Sequence, residues 1–241
     1  MNIKLFSSYW WLVFSCYYLF SAGVLAQGWV KLEQTTKSVL STQNVAVMLM
    51  PNATLWAADL NAQGRIDENA IFKPMTMQNG KILNGIVEVV AGEGHVLARR
   101  ANGEVWAAGD NSHGQLGDGT QQTQARFVPC LLTNGEPIRL AAAMVAGRDH
   151  SVILLETGVV LSAGCNQYGQ LGQGDNQDTS YFSPSVYSDN SVLSHIVGIE
   201  AKDDYTLLLR QDDTRWLAGR YPKLSIKPNG KIVTYNSFIE F

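Results

Sequence analysis

Residues 91–96 read Ala91-Gly92-Glu93-Gly94-His95-Val96, and residues 146–151 read Ala146-Gly147-Arg148-Asp149-His150-Ser151. The likeness continues along the chain at one fixed offset, that from His95 to His150. Gly92, His95, Gly103, Trp106, Gly109, Asn111, Gly114, Gln115, Leu116, Gly117 and Gly119 return as Gly147, His150, Gly158, Leu161, Gly164, Asn166, Gly169, Gln170, Leu171, Gly172 and Gly174. The exchange of Trp106 for Leu161 alone breaks identity across these positions. Chance does not produce such a register. A period of about 50 residues marks a propeller or a solenoid, in which each repeat buries its apolar face against the next.

Worn copies flank the two clear ones. Trp56-Ala57-Ala58 is an earlier copy of Trp106-Ala107-Ala108, and Trp216, Ala218 and Gly219 follow Leu161, Ala163 and Gly164 at the same offset as the middle pair. Val45 and Tyr205 then stand where His95 and His150 stand in the middle copies. Four repeats result, at roughly 36–78, 85–133, 138–188 and 196–226, with 227–241 left as a closing strand. Terminal copies diverge because each lacks a neighbour on one side. Phe72, Phe127 and Phe182, with Pro74, Pro129 and Pro184, keep the repeat spacing. The stretch from Trp56 to Pro74 is shorter than those from Trp106 to Pro129 and from Leu161 to Pro184, so the first connection is short where Asp67-Glu68-Asn69 stand.

Within a repeat the pattern is that of strands. Asn102-Gly103 between alternating runs is a hairpin signal, since both residue types tolerate positive φ. Pro129 cannot donate to a ladder, so the strand around it is expected at an exposed sheet edge. No segment shows a helical period. The fold expected is all-β and propeller-like, with about four four-stranded blades in an incomplete ring. After Gly219, Leu224-Ser225-Ile226 is expected as the last repeat's outer strand, and Lys231–Tyr235 as an extra strand reaching Gly28–Glu33. The alternation Val233, Tyr235, Ser237, Ile239, Phe241 reads as a final strand completing a blade rather than as an outer-membrane barrel strand.

The run Ala146-Gly147-Arg148-Asp149-His150-Ser151, followed by Gly158 through Gly174, resembles the regulator of chromosome condensation repeat. The copy from Ala91 to Gly119 matches it too, with Val96 where that family often has Ser or Thr. The resemblance implies a β-propeller of four-stranded blades, usually seven in number. It implies no single activity: members serve as nucleotide exchange factors for a nuclear GTPase, as lipid- or protein-binding modules, and as a secreted inhibitor of β-lactamases. All present loops to a partner.

Composition narrows the function classes. The 241 residues are 46% hydrophobic and 16% charged, with a net charge of -3, which excludes a disordered chain. Without a basic run there is no electrostatic footprint for nucleic acid. Lys4, the apolar stretch from Leu5 to Phe20 and the small residues ending at Ala26 read as a signal peptide, residues 1–26. An uncleaved anchor is the alternative, and a lipoprotein-type box at Cys16 is a weak third. A secreted or cell-envelope location follows from the first reading. Cys130 and Cys165 remain after cleavage, as two packed thiols or one bridge. Neither sits in a CxxC, so no zinc or redox site is expected.

Chemistry-bearing motifs are sparse. His95 and His150 read as packed, hydrogen-bonded core residues rather than a metal pair, because each belongs to its own blade. Gly114–Gly119 opens no helix, so it reads as a turn and not a phosphate cradle. Asp175 and Asp178 lack the closing ligand of an EF-hand loop, and Asp203-Asp204 point to opposite strand faces. Neither a cofactor nor a metal is expected. His113 and Tyr168 are equivalent loop aromatics, taken as candidate binding residues or as caps of their own blades. Trp106 and Trp216 are expected in the core. The function expected is an exported protein-interaction module of unknown partner, capable of self-association. The alternative is an extracytoplasmic propeller enzyme, a hydrolase or lyase, with polar groups from several blades meeting in the central mouth.

Overall fold

The computed structural model describes residues 38–42, 45–60, 66, 70–221 and 235–240. The expected signal peptide, the segment at 28–33 and the strand expected at 224–226 lie outside them. Among the described residues, sixteen strands fall into four sheets. The first holds β1 (Ser38–Ser41), β2 (Val45–Leu49), β3 (Leu55–Asp59) and β4 (Lys73–Pro74). The second holds β5 (Ile86–Ala91), β6 (His95–Arg100), β7 (Val105–Gly109) and β8 (Gln124–Pro129). The third holds β9 (Ala141–Ala146), β10 (His150–Leu155), β11 (Val160–Gly164) and β12 (Thr179–Pro184). The fourth holds β13 (Ile196–Lys202), β14 (Tyr205–Arg210), β15 (Arg215–Gly219) and β16 (Tyr235–Glu240). Strands pair in chain order within every sheet, and the ladders are antiparallel.

Local sequence explains the hairpins. Gly103 adopts a φ of 78° between β6 and β7, and the Asn102 side-chain oxygen accepts the Glu104 N–H at 3.1 Å. Asn79 and Asn134 do the same for Lys81 and Glu136, each turning the chain between one blade and the next.

Stability comes from between the sheets. Three apolar clusters occur, one at each blade-to-blade junction. Val47, Leu55, Val96 and Phe127 join the first blade to the second. Leu97, Leu116, Met144, Ile153 and Phe182 join the second to the third. Val152, Val160, Leu208 and Phe238 join the third to the fourth. Among the described residues no such cluster joins the fourth blade to the first, and the described parts of the four blades follow one another as an arc.

Phe127, Phe182 and Phe238 are each fully buried, worth about 1.5–3 kcal/mol apiece. A Cβ on Gly117 or Gly172 would lie 2.3 Å from the ring of Phe182 or Phe238. The preceding blade's loop thus rests its glycine on the next blade's phenylalanine. The corresponding Phe72 is only half-buried, since the first blade follows no other among the described residues.

Three expectations need correction. The outer strand of the fourth blade is β16, so residues 235–240 complete that blade and supply no extra closing strand. The blade therefore extends past residue 226. Second, the proline-marked outer strand is not left open: the N–H groups of Phe127, Phe182 and Phe238 donate to Thr76, Leu131 and Val186 carbonyls of the preceding blade. Third, Trp106 and Trp216 are half-buried at the margins of their clusters rather than within them. The Trp216 indole N–H donates to Thr214 Oγ1 at 3.0 Å, a polar tip that favours an edge position. Leu161, at the same repeat position, is buried.

Candidate functional site: the seam and the loop end of the arc

The seam between blades begins with the two repeat histidines. His95 and His150 are fully buried. His95 Nε2 lies 2.9 Å from Ser151 Oγ, and that hydroxyl donates to the Gln115 carbonyl at 2.7 Å. His150 Nε2 lies 3.0 Å from Thr206 Oγ1, which donates to the Gln170 carbonyl at 2.8 Å. A hydroxyl that gives its hydrogen to a carbonyl must accept from the imidazole, so each ring carries its proton on Nε2. Nδ1 is left without a partner in both rings. Burial lowers the two pKa values to about 4 and about 3, so both rings are neutral.

Gly92 and Gly147 belong to the same device. A Cβ there would stand 2.3 Å and 2.0 Å from the imidazole of His95 and His150. The worn copies keep the logic with other residues. Val45, at the histidine position, and Val96, at the hydroxyl position of the next blade, share one apolar cluster. Tyr205 has no successor blade among the described residues and meets the Tyr221 ring edge-on, with centroids 4.9 Å apart.

Antiparallel connectivity puts alternate loops at the same end of the arc. The inner hairpins at 92–94, 147–149 and 203–204 therefore share an end with the long connections at 110–123 and 165–178. The inner hairpins are strung together: Glu93 N–H donates to the Arg148 carbonyl at 3.1 Å, and Arg148 N–H to the Asp203 carbonyl at 3.0 Å. Their side chains continue the row. Arg148 pairs with Asp204 at 2.6 Å and approaches Glu93 at 3.8 Å. Arg220 also binds the nearly buried Asp204 carboxylate.

The long connections are built on a fixed frame. Asn111 Oδ1 accepts the Leu116 N–H and Asn166 Oδ1 the Leu171 N–H, both at 3.0 Å. Gln115 and Gln170 accept the N–H of His113 and Tyr168, again at 3.0 Å. His113 and Tyr168 thus occupy one position, and neither caps its own blade. Each reaches the next one: His113 Nδ1 lies 2.7 Å from Asp178 Oδ2, and the Arg220 guanidinium sits 4.1 Å over the Tyr168 ring. Cys130 and Cys165 are buried free thiols, not a bridge. Asp110, Cys165 and Arg220 share another repeat position. Against the opposing effect of burial, hydrogen bonds from Ser112, Gln115 and Thr123 hold the Asp110 carboxyl below its usual range. Burial, together with Glu93 and Asp110, pushes the Asp149 carboxyl up.

Sequence reading singled out His113 and Tyr168 as loop aromatics, without assigning them to an end of the arc, and missed Arg148, Cys165, Asp178, Asp204 and Arg220. The repeat offset could have found Arg220, which directly follows the matched Ala218-Gly219 segment. It could not have found the pairs, because Arg148–Asp204, His113–Asp178 and Tyr168–Arg220 share no single sequence offset.

Comparison with known proteins matches this architecture. Two models of the regulator of chromosome condensation (RCC1) repeat fit the chain, one at residues 86–115 and 142–170, the other at 102–154 and 157–209. The chain is 33% identical over 150 residues to Protein RCC2 homolog of Danio rerio, covering 61% of this chain and 29% of that one. In structure it is similar to human WBSCR16, with a TM-score of 0.65 and 18% identity, over 88% of this chain and 56% of that one. It is also similar to Prp20p of Saccharomyces cerevisiae, with a TM-score of 0.60 and 20% identity, over 87% and 52%. The chain spans less than a third of the curated relative and about half of either structure. With its blade order, seam histidines and glycine frame, it belongs to the regulator of chromosome condensation (RCC1) repeat family.

Proposed function

We propose that the chain is an exported protein-binding module whose contact surface is the loop end of the arc. One observation carries the binding reading: a buried frame shared by the second and third blades holds side chains that differ from blade to blade. His113 becomes Tyr168, Asp110 becomes Arg220 in the fourth blade, and Glu93 becomes Arg148 and Asp203. Packing fixes the frame and leaves these positions free to be chosen for a partner. The mixture of guanidinium, carboxylate and aromatic groups suits a protein surface. Prp20p, which shares the fold, is described by its binding properties toward Gsp1p and histones; the class of partner, a protein, is what we carry over. Export rests on residues 1–26 and disfavours exchange on a nuclear GTPase.

The enzyme reading asked for polar groups from several blades meeting at the central mouth. Glu93, Arg148 and Asp204 do come from three blades, but as ion pairs, which suit recognition rather than proton transfer. Two experiments test the proposal. Mass spectrometry of the processed chain is expected to find an N-terminus at or near Gln27, and intact Met1 on membrane-bound material contradicts cleavage and supports an uncleaved anchor instead. Quantitative affinity capture is expected to lose a protein partner on combining Glu93→Lys with Tyr168→Ala, and not on Glu136→Lys at the opposite end. Equal capture by the parent and both variants contradicts the binding surface.

A further inference from the structure

Three donor side chains of different chemistry meet where the long loop of the second blade touches that of the third. One imidazole nitrogen of His113, the Cys165 sulfur and one carboxylate oxygen of Asp178 all lie within 4.8 Å of one another. Ligands bound tetrahedrally at 2.0–2.3 Å from a zinc ion stand about 3.3–3.7 Å apart. The His113 and Asp178 donors, 2.7 Å apart, have to open slightly while the Cys165 sulfur closes in. We propose that His113, Cys165 and Asp178 bind a borderline-soft divalent metal ion of the zinc class, which clasps the second blade to the third.

Four features of the cluster support this assignment. The donors are held by outer partners, as ligands are: Asp178 Oδ1 accepts the Asn166 N–H at 2.7 Å, leaving Oδ2 to face His113. The Gln167 backbone N–H points at the Cys165 sulfur. Second, Cys165 is 7% exposed, so its sulfur is withdrawn from solvent yet faces polar groups rather than an apolar core. Third, the field is that of a cation site. The carboxylates of Asp178 and Asp149 act on the Cys165 sulfur and attract a dication, while Asp204 is taken up by Arg148 and Arg220. Fourth, the charges balance: one thiolate, one carboxylate and one neutral imidazole cancel a double positive charge. The donor set also excludes the hard cations, which take oxygen ligands.

Binding breaks the Cys165 S–H bond, forms the sulfur–metal bond and delivers one proton to solvent. The His113–Asp178 hydrogen bond gives way to two metal bonds, with the imidazole proton moving to the nitrogen that faces away. A fourth coordination position is left to water.

Cobalt(II) is the probe, because a thiolate ligand gives it a charge-transfer absorption band. The full chain, stripped with chelator, is expected to take up one equivalent of cobalt with that band, and zinc is expected to bleach it. Cys165→Ser removes the band, whereas Cys130→Ser and Cys16→Ser keep it. His113→Gln and Asp178→Asn weaken cobalt binding by at least about tenfold. Zinc should raise the melting temperature of the parent chain and leave that of His113→Gln unmoved. Should Cys165→Ser fail to fold, the half-buried His113 variant decides the matter. No band at equimolar cobalt, or a band that survives loss of either Cys165 or His113, overturns the site.

Discussion

The seam between blades and the loop end above it are built from the same repeats but obey different rules. At the seam the repeats agree: His95 and His150 each bind a hydroxyl of the next blade, and Gly117 and Gly172 each seat a buried phenylalanine. At the loop end they disagree, position by position. The difference shows where substitution is constrained by packing and where it is open to a partner. Where the seam does change, it changes in pairs: Val45 faces the second blade, which carries Val96 in place of a hydroxyl. Removing one polar member alone would leave the other buried without a partner, at a cost of about 1–3 kcal/mol.

The largest effect of a single substitution is expected at the phenylalanine seats. Phe182→Ala should cost about 3–5 kcal/mol in denaturant unfolding, as large-to-small core changes do. Trp106→Ala should cost less, about 1–3 kcal/mol, because the indole is half-buried and Leu161 serves in its place. Equal costs for the two would erase the distinction between cluster interior and margin.

The histidine seam can be tested by rebuilding it as the apolar one. His95→Val and Ser151→Val are each expected to destabilise by about 1–3 kcal/mol. The double variant should recover about 1 kcal/mol or more of their sum in a double-mutant cycle. Full additivity would mean that the pair does not act as a unit.

Acid should find the same seam. The unfolded histidines titrate at the ordinary value of 6.5, while burial lowers the folded values to about 4 and about 3. The unfolded state then binds more protons, so stability is intact above pH 6.5, falls as pH drops through that value, and levels off once the folded rings protonate. The loss is on the order of 3–5 kcal/mol per ring. The His95→Val, Ser151→Val double variant should show a shallower decline between pH 6.5 and 4. An unchanged slope would show that His95 is not buried neutral.

A smaller effect is expected at Leu140. It is exposed and holds a φ of 60°, where the equivalent position in the second blade is Gly85 with a φ of 72°. Leu140→Gly removes a left-handed strain of about 1–2 kcal/mol at some cost in chain entropy, so it should be neutral or slightly stabilising. A loss above about 1 kcal/mol would show that the side chain packs.

How much of this could be read beforehand follows from where the signal lies. The blade count, the Asn-Gly hairpins and the packed, hydrogen-bonded histidines were legible, because each depends on the spacing of the repeat. Phe238 was missed because it stands one place beyond the repeat offset from Phe182, where Ser237 falls, and with it went the true outer strand of the fourth blade. His113 and Tyr168 were found, but their partners Asp178 and Arg220 were not, since pairing across blades follows from how one sheet leans on the next. The cluster of His113, Cys165 and Asp178 draws on two blades and no motif spacing, so the expectation of no metal had nothing to set against it.

The loop end is best tested by crosslinking from single exposed positions. A photoreactive residue at Gln167, on the loop end, is compared with one at Glu136, at the opposite end; both side chains are exposed. Neither substitution touches the seam, so stability should move by no more than about 0.5 kcal/mol. Expected is a protein adduct from Gln167 that is absent from Glu136 and competed away by unlabelled chain. Adducts from Glu136 alone, or the same adducts from both ends, would contradict a binding surface at the loop end of the arc.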